Sequence, residues 1–416
     1  MALELKIALR FLFAKKRAML MSLAGIACGV GFFILTQAQT SGFERFYIRT
    51  ILGTTGAIQV HDRFQDTLRT MAVEGEETPS GFLIAHRDAR HYVEGVAEPG
   101  TVGNAIREFA NVTGVSEVVS GSAALRTPVR RESVYVYGIR IEDHLAVSDL
   151  DRQIIRGDLQ QMRQSSQGVL IGSALARRMQ LQTGDPFELE TPDQRRRYRV
   201  AAIYETGVRD IDSMRIYLQL GEARSLLKRP HGASFLQVDL RDPGRADRDA
   251  ERMEAIIGHF AYSWQERERA WLEVFRALRV SSGLTVSAII FISGLGMFNT
   301  LAMIVMERTR EIAILRSMGY TRHNVLRIFL WQGSVVLAGG VLLGWGMGAL
   351  ATYGVSRIPI RIRGIFATDY FVVNWSLSHY VLAALIAALV VTAATLLPAL
   401  RAARLEPGDV IRNSAA

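Results

Sequence analysis

Residues 280–306 read VSSGLTVSAIIFISGLGMFNTLAMIVM, a run with no charged side chain between Arg279 and Glu307. A helix needs about 20 mostly apolar residues to cross the hydrocarbon core of a bilayer. A charge at its centre costs roughly 2.5–3.5 kcal/mol on insertion scales. The run therefore predicts a transmembrane helix. Three more runs share its character: residues 18–43 between Arg17 and Glu44, 328–356 between Arg327 and Arg357, and 370–400 between Asp369 and Arg401. Nothing comparable lies within residues 44–279, which read as one folded aqueous insertion, long enough to bury a core and divide into lobes. The expected class is a membrane α-helical protein of four transmembrane helices with a large α+β extracytoplasmic domain.

Orientation follows from the basic residues beside the spans. Lys6, Arg10, Lys15, Lys16 and Arg17 precede the first span, Arg308, Arg310, Arg316, Arg322 and Arg327 lie between the second and third, and Arg401, Arg404 and Arg412 follow the fourth. With four spans these regions share one side, so both termini are expected in the cytoplasm and residues 44–279 on the far side of the membrane. Arg357, Arg361 and Arg363 in the outer loop 357–369 oppose this and are outnumbered. The net charge of +9 is thereby mostly a matter of topology. No basic stripe interleaved with aromatics suggests nucleic acid as a partner. A cleaved signal peptide is disfavoured: the first apolar run is too long, and an apolar helix precedes its basic cluster. Cys28 is the sole cysteine, so the insertion has no internal disulfide.

Residues 1–17 carry an apolar-rich helix over 3–14, either interfacial or an extension of the first span. Within the insertion, strand patterns occur at 57–60, 115–119, 133–139, 186–190, 198–204, 215–218 and 235–240, and helix patterns at 102–110 and 245–258. Residues 168–184 read as strand, helix and glycine stop. The mixed order suggests a second lobe inserted near 140–230, leaving 44–139 and 231–279 for the first. Residues 71–100 form an irregular excursion.

In the membrane, Gly25 and Gly29 of span one and Gly340, Gly344 and Gly348 of span three recur at four-residue spacing. Small residues at that interval let helix backbones approach closely. Asn299 is the conspicuous polar residue of span two and is expected to hydrogen-bond across a helix interface. Pro398 sits in the last turns of span four.

Much catalytic chemistry is missing from the pattern. There is no phosphate-binding G-x-x-x-x-G-K-[ST] loop, H-E-x-x-H, paired-cysteine or G-x-S-x-G motif. The spans carry no carboxylate or lysine of the kind that marks ion-coupled pumps. The chain is expected to be a non-enzyme, without metal or cofactor, whose energy comes from a partner. The informative loop is 307–327, ERTREIAILRSMGYTRHNVLR. It predicts a short charged helix stopped at Gly319, then a second helix capped by Thr321. Held between two spans, such a pair is a lever. Glu307, Arg310, Glu311, Arg316 and Gly319 are its candidate coupling residues.

FNTLAMIVMERTREIAILRSMGYTRHNVLRIFLWQG at 298–333 resembles the corresponding segment of MacB/FtsX-type ABC transporter permeases, and is most similar to the lipoprotein-releasing LolC/LolE permeases. SGFERFYIRTILG at 41–53, VLIGSALARRMQLQTGD at 169–185, YRVAAIYETGVRDIDSMRIYLQL at 198–220 and LLPALRAARLEPGDVIR at 396–412 extend the likeness over most of the chain. The resemblance implies a porter-like lobe and a smaller inserted β-rich lobe, and a second permease copy as homodimer or heterodimer. It also implies two separate ATPase subunits that bind ATP and Mg and press on the lever. Lipoprotein or lipid cargo would enter from the outer leaflet, making Phe32, Phe33, Phe43, Met297, Phe298 and Leu301 candidate contacts. A periplasmic carrier or adaptor would receive it. Lol permeases that load a carrier have a protruding hairpin, whereas the matching connection here, LETPDQRRRYRV at 189–200, is short. The rival expectations are MacB-like export of peptides, toxins or drugs, and an FtsX-like regulator of a cell-wall hydrolase.

Overall fold

The computed structural model describes residues 2–14, 16–63, 71–72, 82–83, 95–359 and 370–404. The readings for Lys15, most of 71–100, Arg361, Arg363 and the tail from residue 405, Arg412 included, lie outside the described residues. Two compact units emerge, one built from the helices that flank the insertion and the other from residues 46–272.

Among the described residues four helices are long and apolar enough to cross a membrane: span one Lys16–Thr55, span two Arg269–Glu307, span three Arg322–Ser356 and span four Leu377–Arg404. Spans one and two overrun their charge-free runs on the outer side. The apolar run marks the thickness of hydrocarbon and not where a helix stops. With four spans and the basic flanks at the termini, the protein lies in the inner membrane with both termini cytoplasmic and its large domain periplasmic. A separate helix, Ala2–Ala14, buries Ala8 and Phe11 with Ile328 of span three. It is therefore a packed support for the bundle, distinct from span one.

Glycine spacing governs how the spans approach. A Cβ added to Gly340, Gly344 or Gly348 would lie 2.8 Å from Ile26 Cγ2, 2.7 Å from Val30 Cβ and 3.0 Å from Ile34 Cβ, all on span one. On span one, Gly25 and Gly29 accommodate Ser293 and Ile290 of span two in the same way. The buried seam continues through Val286, Ile290, Met297, Leu301 and Ile304, the helical repeat of one face of span two. Asn299 does not join it. Counted from Met297 and Leu301, it falls on the opposite, exposed face, so it makes no interface between the spans of this one chain.

Among the described residues ten strands of the periplasmic unit form one continuous sheet, apart from the two-residue pair Met71–Ala72 with Phe82–Leu83: β1 Ile58–Arg63, β2 Val112–Arg126, β3 Arg131–Ile139, β4 Ile154–Gly157, β5 Gly168–Gly172, β6 Pro186–Glu190, β7 Arg195–Tyr204, β8 Arg215–Gln219, β9 Phe235–Leu240 and β10 His259–Ser263. In the first lobe the order is β10-β1-β9-β2, antiparallel throughout. Helices Pro99–Arg107 and Ala246–Ile257 cover it, burying Ile106 and the stripe Ala246, Ala250 and Met253 against Val60, Leu236 and Val238. The second lobe is a closed barrel, β2-β3-β8-β5-β7-β6 and back to β2, with β3/β8 and β5/β7 parallel. Closure leaves no free strand edge within the ring. Val134, Val136, Ile171, Leu189, Tyr198 and Ile216 are among the side chains of its core.

β2 belongs to both lobes. Residues 112–118 pair with β9, while 118–126 pair with β3. Val118, fully buried, lies opposite both Phe235 and Ile139. The change of lobe expected near residue 140 thus sits inside a strand, and β3 pairs on both sides with barrel strands.

Candidate functional site: the coupling end of the helix bundle

Span two stops at Glu307, and Arg308 leaves the helical region with φ −100° and ψ 13°. A new helix, Thr309–Ser317, follows at once. Its end is a Schellman motif: Gly319 N–H donates to Arg316 O at 3.1 Å and Tyr320 N–H to Leu315 O at 3.2 Å. Gly319 has φ +99°, and nothing stands within 4 Å of where its Cβ would be. The glycine is needed for backbone conformation, not for room. Thr321 then caps span three, its Oγ1 accepting from Asn324 N–H at 3.3 Å.

The short helix is two-sided. Ile312 and Ala313 are buried, Ile312 in the cluster of Leu12, Ile304, Val325, Phe329 and Ala402. Glu311 is ion-paired with Arg308, whose guanidinium lies 5.8 Å from the Phe11 ring centroid. Arg316 Nη1 donates to Ala403 O of span four at 3.4 Å. The N-terminal helix adds Glu4, 4.0 Å from Arg327. Three elements therefore clamp the inner side of this helix. The outer side presents Arg310, with Ile314 51% and Met318 73% exposed; Met306 extends the line backward at the same four-residue spacing.

Of the five coupling candidates, Glu307, Arg310 and Gly319 are exposed, whereas Glu311 and Arg316 are bonded within the bundle. Charge pattern does not separate the two groups. Met306, Ile314 and Met318 escaped the sequence reading, although apolar residues four apart in a charged loop are a usable signal.

The six cargo candidates do not form one surface. Phe32 is exposed, Phe298 half-buried, and Phe43 half-buried with its ring edge-on to Phe371 at 5.5 Å. Phe33, Met297 and Leu301 are core side chains, and their reading as lipid contacts is corrected. They fall on the inward face of their helices by the 3.6-residue repeat.

At the periplasmic end of the bundle a polar cluster ties span one to its neighbours. Gln37 Nε2 donates to Arg279 O at 3.2 Å, and Glu44 pairs with Arg279. Asn374, just before span four, donates through its backbone to Ala38 O at 2.9 Å and through Nδ2 to Ser41 Oγ at 3.2 Å. Its Oδ1 accepts from Arg45 Nη1 at 2.8 Å. Nothing in the pattern around Asn374 advertises this. In the periplasmic unit β6 and β7 are joined by four residues, 191–194, closed by Thr191 N–H to Gln194 O at 2.9 Å. Among the described residues no group of His, Cys, Asp and Glu is placed to hold a metal ion.

The model of the MacB-like periplasmic core domain matches residues 19–256, and that of the FtsX-like permease C-terminal region matches 283–407. The lipoprotein-releasing system transmembrane protein LolC of Xylella fastidiosa is 23% identical over 99% of this chain and 98% of its own length. LolE of Haemophilus influenzae is 23% identical over 94% of this chain and 93% of its own. The macrolide export ATP-binding/permease protein MacB of Chromobacterium violaceum is 29% identical over 51% of this chain and 30% of its own length. Together with four spans around a periplasmic insertion, these matches make the chain a member of the MacB/FtsX superfamily of ABC transporter permeases.

Proposed function

We propose that this chain is the permease subunit of an ATP-driven machine that extracts lipoprotein or lipid from the inner membrane by mechanical transmission. ATP and Mg belong to two partner ATPase subunits, and a second permease copy completes the complex. The observation that carries this reading is the two-sided helix Thr309–Ser317: Ile312 and Ala313 fix it in the bundle, while Arg310, Ile314 and Met318 stand outward. An apolar patch around a single cation suits a docking anchor for a protein partner. Span two is one unbroken helix from Arg269 to Glu307, so movement at its inner end is passed along its length.

Lipoprotein or lipid as cargo is supported by likeness to LolC and LolE along nearly the full chain. Phe32 is the cargo candidate left facing outward. The four-residue turn 191–194 has no room for a protruding hook, so either the second permease of the pair carries the hook or cargo is handed to another acceptor, as in an adaptor-linked, MacB-like arrangement.

The test is purification of the intact complex from native membranes with Ile314→Glu and Met318→Glu variants. Loss of the copurifying ATPase with the permease still folded supports the anchor. Full retention of ATPase by both variants refutes it. Acylated protein enriched with the wild-type complex supports the cargo class, and its absence in favour of an outer-membrane channel points to the second arrangement.

A further inference from the structure

Asn299 presents a primary amide on the exposed face of span two. Roughly 12 Å of helix separate it from Glu307 and roughly 28 Å from Val280, so it stands inside the hydrocarbon layer. No hydrogen bond joins its side chain to the rest of the described chain. Lipid tails offer neither donor nor acceptor at that depth, and polar groups in the membrane are retained where something satisfies them. Gly296, one turn away on the same exposed face, has nothing within 4 Å of where its Cβ would be. A second helix can therefore approach the backbone closely at this level.

We propose that Asn299 hydrogen-bonds to Asn299 of a second copy of this chain, with Gly296 at the helix crossing. The chemistry selects that occupant. An amide is both donor and acceptor, so it is complementary to itself. Two copies inserted in the same orientation place the residue at the same depth, and a twofold axis brings equivalent side chains together. Any other partner would need an independently positioned polar group there. This inference rests on the reading of the chain as one permease of a pair.

The test uses the full chain with its ATPase in native membranes, with Cys28→Ala removing the sole native cysteine. Gly296→Cys and Asn299→Cys are oxidised separately, and Leu342→Cys on the exposed side of span three is the control. Disulfide-linked homodimers are expected at 296 and 299 and not at 342. Adding Asn299→Leu should lower the 296 cross-link about five-fold, while Asn299→Gln should preserve it, since the longer amide keeps both hydrogen-bonding functions. Cross-links absent at 296 and 299, equal at 342, formed with a different permease, or indifferent to Asn299→Leu would each overturn the proposal. ATPase copurification retained in those cases leaves the permease reading intact; its absence from wild type sinks that reading instead.

Discussion

Gly344 of span three lies so close to Val30 of span one that a Cβ on the glycine would sit 2.7 Å from the valine Cβ and 2.9 Å from Ala27 O. Real Cβ contacts are not that short, so one helix must move if the position is filled. Gly344→Leu should destabilise the bundle by about 1–3 kcal/mol, the usual cost of overpacking. Gly346→Ala, where nothing lies within 4 Å, should be neutral or slightly stabilising. Thermal unfolding of the detergent-purified protein decides; equal midpoints for the two variants would refute the close-packing account.

Glu311 and Arg308 are an ion pair near the protein surface, worth at most about 1 kcal/mol to folding. Glu311→Lys leaves two cations together in the first turn of a helix, where the helix dipole also disfavours positive charge. The bundle should survive, but the short helix should lose its fixed angle. Stimulated ATPase activity is expected to fall about five-fold, equivalent to about 1 kcal/mol, with Glu311→Gln between wild type and Lys. Undiminished stimulation in the Lys variant would mean that the pair has no part in transmission.

Two buried groups in the periplasmic unit work against each other as pH changes. Burial pushes the Asp212 carboxyl up to about 6 from its ordinary 3.8, although Thr206 N–H, Thr206 Oγ1–H and Gly207 N–H donate to it. The folded state therefore holds a proton that the unfolded chain has released, and this group makes stability fall as pH rises from 3.8 to 6, by about 3 kcal/mol in all. Complete burial pushes His144 down to about 3 from 6.5. There the unfolded chain takes up the proton first, so stability falls as pH drops from 6.5 towards 3. Between pH 4 and 6 the slopes oppose. Asp212→Asn should leave a protein that gains stability with rising pH across that window, and His144→Phe one that loses it. Parallel pH profiles of the melting midpoint in both variants would rule the balance out.

The spans were legible because insertion energetics demand long charge-free runs, and such runs survive any detail of packing. Strands at 186–190 and 235–240 were equally plain, since buried sheet residues alternate or cluster within turn-bounded segments. The continuation of β2 was not. Gly121, Ser122 and Ala123 are poor strand formers, yet the glycine is demanded by a close neighbour: a Cβ on Gly121 would lie 2.7 Å from Leu227 Cδ2. Local propensity there reports a tertiary contact that the sequence does not announce. β10, His259–Ser263, was missed for a related reason, as its helix-stopping Gly258 masks the strand that begins immediately after it.

At the coupling end, Gly319 and Thr321 were readable because a stop and a cap are local requirements. Which of Arg310, Glu311 and Arg316 face outward depends on where Phe11, Phe329 and Ala403 happen to lie, distant in sequence. The same holds for Asn374, whose three bonds reach residues Ala38, Ser41 and Arg45 across more than the length of the insertion.

The strand shared by the two periplasmic lobes restricts how this architecture can be edited. Removing 140–230 would not excise a cassette: it would strip partners from β3 and from the far half of β2, exposing long rows of unpaired backbone amides and carbonyls. Truncations and fusions within the barrel should aggregate, whereas sequence exchange at its closed turns, 127–130 and 191–194, leaves every strand paired. Diversity among descendants of this chain is therefore expected to collect at those tips, with the barrel itself inherited whole.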